Sequence, residues 1–60
     1  MIVLSEYEEG NRYATVSYRS IQGDFVGIGY IDQLERTAIP FQTEEAAENW
    51  CEDWVLRVIS

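Results

Sequence analysis

Five carboxylates recur at helical spacing near the end of this 60-residue chain. Glu44, Glu45, Glu48, Glu52 and Asp53 fall on one side of a helical wheel. Ala47, Trp50, Cys51, Trp54, Val55 and Val58 fall on the other. The acidic side carries no lysine or arginine to pair with it. Like charges at i,i+4, as in Glu44–Glu48 and Glu48–Glu52, cost stability. A domain of this size buries only about 60% of the surface its unfolded chain exposes, so little stability is in reserve. Paired carboxylates do acid–base work where a cleft drives their pKa values apart. A row along an exposed helix provides no cleft. Helix spacing also fails to wrap oxygen ligands around Ca²⁺, and no Asp-x-Asp-x-Asp-Gly loop is present. The chemistry left to the row is contact with a basic partner, through Glu45, Glu48, Glu52 and Asp53. The plainer alternative is a solvated face that keeps a small protein in solution.

Other reactive residue types are scarce. The chain has no histidine, which removes the commonest general base and metal ligand. Its lone cysteine, Cys51, lies on the apolar side of the helix between two tryptophans. A free buried cysteine behaves as a small hydrophobe, and no histidine or lysine stands by to lower its pKa. Gly27-Ile28-Gly29 resembles a fragment of a phosphate loop but lacks the third glycine and the helix after it. In mid-strand, glycine marks a flat patch or close backbone approach. No catalytic residue, cofactor or metal site is expected, and the chain does not read as an enzyme.

The elements that must position the acidic row follow from periodicity. Residues 11–21 alternate, with Arg12, Ala14, Val16 and Tyr18 against Tyr13, Thr15, Ser17 and Arg19. Residues 24–32 alternate as well, with Val26, Ile28 and Tyr30 against Phe25, Gly27, Gly29 and Ile31. Both are rich in strand formers. A three-residue loop, Ile21-Gln22-Gly23, with glycine in the left-handed region, joins them as a hairpin. That loop pairs Tyr18 with Val26, Val16 with Ile28, Ala14 with Tyr30 and Arg12 with Asp32. Asp32 to Glu35 reads as a polar connection. Residues 36–41 form a third strand with Ile39 and Phe41 as core candidates, and Pro40 confines it to an edge or a strand end. Residues 2–7 are a candidate fourth strand. Thr43 is an N-cap, so the helix spans 43–58. Glu44 and Glu45 suit its positive end, and Arg57 its negative end. The expected fold is α+β: one domain over 1–60, an antiparallel β-meander of three or four strands against one C-terminal helix. In this register the helix covers Val16, Tyr18, Val26 and Ile28. Gly27 and Gly29 then lie on the opposite face with Tyr13, Phe25, Ile31 and Arg19.

Composition sets the compartment and excludes several partners. Aromatics make up 13% of the chain, too many for a disordered segment, and they supply a core without disulfides or metal. One cysteine allows no internal disulfide, which argues against a small secreted domain. No basic leader and no run of about 20 apolar residues is present. The expectation is a complete, cytoplasmic small gene product. Eleven acidic residues against four arginines give a net charge of −7. Such a chain is repelled by nucleic acid and anionic lipid.

The string Ile39-Pro40-Phe41-Gln42-Thr43-Glu44-Glu45-Ala46-Ala47-Glu48-Asn49-Trp50 resembles the last strand and helix of the arm-DNA-binding N-terminal module of tyrosine recombinases. Tyr13-Ala14-Thr15-Val16-Ser17-Tyr18 resembles the first strand of those modules. The resemblance spans residues 12–54 and implies their sheet-plus-helix fold. It does not bring their DNA binding with it. Those modules read DNA with a basic sheet, whereas Thr15, Ser17, Gly27 and Gly29 are neutral here and Arg19 stands alone.

The sequence therefore predicts a small acidic interaction protein whose partner is a protein with a basic surface. Its sharper form is an inhibitor of the kind phages and mobile elements carry, occupying a groove made for nucleic acid. The alternatives are a nucleic-acid binder that stacks bases on the tyrosine- and phenylalanine-bearing sheet face, and a homodimer or assembly piece joined at a sheet edge.

Overall fold

Three tight turns fold the first two-thirds of the chain into one sheet. A computed structural model describes residues 2–57. The strands are β1 (Ile2–Glu9), β2 (Arg12–Arg19), β3 (Asp24–Ile31) and β4 (Leu34–Phe41), and the helix is α1 (Glu44–Leu56). Each strand pairs antiparallel with the next, so the order is β1-β2-β3-β4. The fourth strand is therefore real, and the class is α+β as the sequence implied. Gly10 takes φ +61° in the two-residue turn between β1 and β2, the conformation a hairpin turn of this length demands. Asp32 and Gln33 both take positive φ, 53° and 69°. They form a second two-residue turn, so β4 starts at Leu34 rather than at residue 36 after a longer connection.

The register between β2 and β3 departs from the expected one by a single residue. Tyr18 pairs with Phe25, Val16 with Gly27, Ala14 with Gly29 and Arg12 with Ile31. The loop holds four residues, 20–23, closed by the Gly23 amide donating to the Arg19 carbonyl at 2.7 Å. Arg19 and Asp24 seal its mouth, Nε to Oδ1 at 2.7 Å. The expected Arg12–Asp32 opposition is absent, and the ion pair forms at the other end of the hairpin. A one-residue slip turns a strand over. Phe25, Gly27, Gly29 and Ile31 therefore lie under the helix, and Val26, Ile28 and Tyr30 on the face away from it, where Val26 is still buried among its neighbours. β2 keeps the sides its alternation predicted.

Volume decides between the two registers. Trp50 and Trp54 stack at 5.4 Å between ring centroids and need a flat floor. A Cβ on Gly29 would stand 2.5 Å from the Trp54 ring, and one on Gly27 2.8 Å from Trp50. Ala14, Val16, Ala47, Cys51, Trp54 and Val55 form the core, ringed by Tyr7, Phe25, Ile31, Phe41 and Trp50. The expected helix face of Val16, Tyr18, Val26 and Ile28 is thus corrected in its β3 half. Phe41 joins the core as expected, and Pro40 lies on the edge strand β4, where a missing amide is tolerated.

The helix is held at both ends. The Thr43 hydroxyl accepts the Ala46 amide at 3.2 Å, a cap worth about 1 kcal/mol. At the far end Arg12, only 6% exposed, donates from Nε to the Trp54 carbonyl at 2.6 Å. Its guanidinium lies 4.4 Å from the Trp54 ring centroid. A cation there meets both the negative end of the helix dipole and an aromatic face. The helix ends at Leu56, short of the expected 58: Arg57 is extended, at φ −66° and ψ 122°, and follows the last turn rather than lying in it; Val58 lies outside the described residues.

Candidate protein-interaction face

The carboxylate row does not form one face. At about 100° per residue, neighbours such as Glu52 and Asp53 must diverge, and their surroundings differ accordingly. Asp53 bonds Arg57 across one turn, Nη2 to Oδ2 at 2.6 Å. This corrects the expectation that the row has no cation to pair with. Both partners are exposed, so the pair adds little stability. Glu45 is exposed in the first turn. Glu48 is half-buried and turns toward β1, where the Ser5 hydroxyl donates to its Oε2 at 3.4 Å. Beside it burial raises the Tyr7 pKa, and the charges of Glu48 and Glu52 raise it further.

β1 adds carboxylates of its own to that flank. Glu6, Glu8 and Glu9 are exposed along the strand. Glu6 accepts the hydroxyl proton of Tyr13 on β2. That bond, with burial, holds the Tyr13 hydroxyl up at about 12. Both faces of this edge are thus acidic: Glu6 and Glu8 point away from the helix, opposite Thr15 and Tyr13, while Glu9, Glu48 and Glu52 lie on the helix side. The three β1 residues went unread as site residues. The run Glu6-Tyr7-Glu8-Glu9 stands out in the sequence, but nothing local places it on the strand at the edge of the sheet.

The arginines are committed elsewhere. Among the described residues, the ion pairs are Arg19–Asp24 and Arg57–Asp53. Arg12 is spent on the helix end. Arg36 is exposed on β4, the opposite edge of the sheet, at the register shift between Gly29 and Tyr30. No arginine forms an ion pair with the β1 flank.

Burial, with the nearby charge of Glu48, pushes the Cys51 thiol up to about 11. It donates to the Thr15 carbonyl at 3.5 Å and stays protonated at neutral pH. Among the described residues, no three side chains of metal-ligating type converge, and no helix is long and apolar enough to cross a membrane. An open concavity of about 530 Å³ lies between the β1–β2 and β3–β4 turns, lined by Glu8, Asn11, Tyr13, Tyr30 and Asp32 among others. Its amide and carboxylate satisfy each other, Asn11 Nδ2 to Asp32 Oδ1 at 3.1 Å. The expected stacking face is divided: Phe25 and Ile31 lie under the helix, while Tyr13 stays on the side away from it and is joined there by Tyr30, 5.4 Å away. Glu6 engages Tyr13 there.

Comparison with protein-family models, with curated proteins and with solved structures finds no match for this chain.

Proposed function

We propose that this protein is a non-enzymatic interaction module that binds a basic protein surface through its β1–α1 flank. The observation that carries this reading is the segregation of charge. Five carboxylates border the β1 edge, Glu6 and Glu8 on one face of the sheet and Glu9, Glu48 and Glu52 on the helix side, and no arginine forms an ion pair with them. Glu45 extends the negative field over the first turn of the helix, while Asp53 is paired with Arg57. A surface of one sign focuses its field and steers an oppositely charged partner into place. In the sharper form, the partner's surface is one that otherwise grips nucleic-acid phosphates, and this chain is its competitor.

The test is capture of a partner from cell extract at low and high salt, with the double substitution Glu48→Lys/Glu52→Lys as comparison. Binding is expected to weaken at least about tenfold between 50 and 500 mM salt, because exposed charges beyond roughly one Debye length are then screened. The double substitution is expected to abolish it at low salt. Affinity that is flat with salt and indifferent to the two lysines overturns the reading.

A further inference from the structure

We infer that the free edge of β1 is itself the docking element, and that it takes an extended basic segment of the partner as a fifth strand. The inference rests on the reading above and adds its geometry. Among the described residues, β1 ends the sheet, with β2 on one side only. Its two-residue turn makes Glu9 and Arg12 the pair that exchanges backbone hydrogen bonds. Alternation then turns the amides and carbonyls of Tyr7 and Ser5 toward β2 and those of Glu8 and Glu6 outward. An outward row of this kind is a template for another strand.

The edge is open at that row and closed elsewhere. Leu4 is the extra residue of a bulge between Val3 and Ser5, which limits regular pairing to Ser5–Glu9. The opposite edge, β4, carries Pro40 in its last turn-ward half and a register shift at Arg36, and both hinder pairing. Charges on an edge strand can serve simply to prevent aggregation. That role does not call for Glu48 and Glu52, which lie along the same edge from a different element. Nor does it call for Ile2 and Val3, 60% and 56% exposed on the far side of the bulge.

Charge decides the occupant. A second copy would bring five more carboxylates against the first five. A segment with arginine or lysine at alternate positions sets them opposite Glu6 and Glu8, and opposite charges across a strand pair are favourable. A basic residue on the other side of that segment meets Glu48 and Glu52 beside Tyr7. Apolar residues at its end meet Ile2 and Val3.

The probe is a capped eight-residue peptide alternating arginine and threonine, titrated into the ¹⁵N-labelled full chain. Two further peptides carry N-methyl groups on all arginine amides or on all threonine amides. Strand addition uses only one of these two amide sets, so one N-methylated peptide is expected to lose binding and the other to keep it. Amide exchange at Glu6 and Glu8 is expected to slow. Glu8→Pro, which removes an amide that β2 does not use, is expected to leave the melting temperature nearly unchanged. It should weaken peptide binding about tenfold or more, the worth of a lost hydrogen bond to the strand plus a charge. Glu8→Gln, which removes the charge alone, should cost only about two- to threefold.

If both N-methylated peptides bind like the parent, strand addition is overturned, while salt-sensitive binding keeps the acidic-surface reading. Slowed exchange at Glu6 and Glu8 that follows protein concentration without peptide makes a second copy the occupant and overturns the proposal. No binding of any basic peptide at low salt overturns both readings.

Discussion

Gly29→Ala separates the two registers of the β2–β3 hairpin by the sign of its effect. In the observed register an added Cβ stands 2.5, 2.8 and 2.9 Å from three atoms of the Trp54 ring. That ring cannot step aside freely. It stacks on Trp50, lies under the Arg12 guanidinium and donates from Nε1 to the Tyr30 carbonyl at 3.2 Å. Overpacking of this kind costs about 1–3 kcal/mol, and losing the indole hydrogen bond adds about 1 kcal/mol. Reduced freedom of the unfolded chain returns about 0.4–1 kcal/mol. The net loss is about 2 kcal/mol, against a total of roughly 3–9 kcal/mol for a chain this long. Thermal melting followed by circular dichroism is expected to fall by about 10–15 °C. In a Trp54→Phe background, where most of the clashing atoms are gone, the same change should cost about 1 kcal/mol less. With Gly29 on the open face, alanine would instead raise the melting temperature slightly. A rise, or equal costs in both backgrounds, refutes the placement of the helix over Gly27 and Gly29.

Three further outcomes follow from the same geometry. Arg12→Lys keeps the charge but loses the planar stack and the Nε bond to the Trp54 carbonyl, so it is expected to cost about 1–2 kcal/mol by urea unfolding; an unchanged midpoint counts against it. Gln33→Gly relieves a left-handed backbone at φ 69° and is expected to stabilise by about 0.5–1 kcal/mol after the entropic cost of glycine, with a lower melting temperature as the contrary result. Tyr13 and Cys51 are both raised on folding, from 10.0 to about 12 and from 9.0 to about 11. A raised pKa contributes stability that is complete below the unfolded value and is lost as pH climbs through the folded one. The urea midpoint is therefore expected to hold below pH 9 and fall up to pH 12, with Tyr13→Phe reducing the fall above pH 10; a midpoint flat to pH 12 sinks this.

The elements were legible because local chemistry sets them. Alternation in β2, the Thr43 cap and the apolar stripe from Ala47 to Val55 each fall within a few residues. The register was not, because β3 is apolar on both sides. Phe25 and Ile31 compete with Val26 and Ile28 for the core, and pairing alone favours the latter against Val16 and Tyr18. What tips the balance is the volume of two indoles on an element more than twenty residues away. Large rings over glycines fill space that Val26 and Ile28 would overfill. The spacing of Gly27 and Gly29 marks a flat floor in the sequence, and the fold supplies the two indoles that cover it.

The candidate face shows the same division at the level of charge. Asp53 and Arg57 are four residues apart on one helix, so their pairing was available from spacing alone. Glu48 and Glu8 are forty residues apart, and each read singly is an ordinary solvated acid. That they border one sheet edge, on its two faces, depends on β1 lying at the edge and on the helix running beside it. The four arginines matter as much as the acids. Arg12 is drawn inward by a helix end, Arg19 closes a hairpin, Arg57 holds Asp53 and Arg36 stands across the sheet. Each placement has its own structural cause, and together they leave the β1 flank negative. A fold that uses its few cations as staples leaves its acids free to meet a cation from elsewhere.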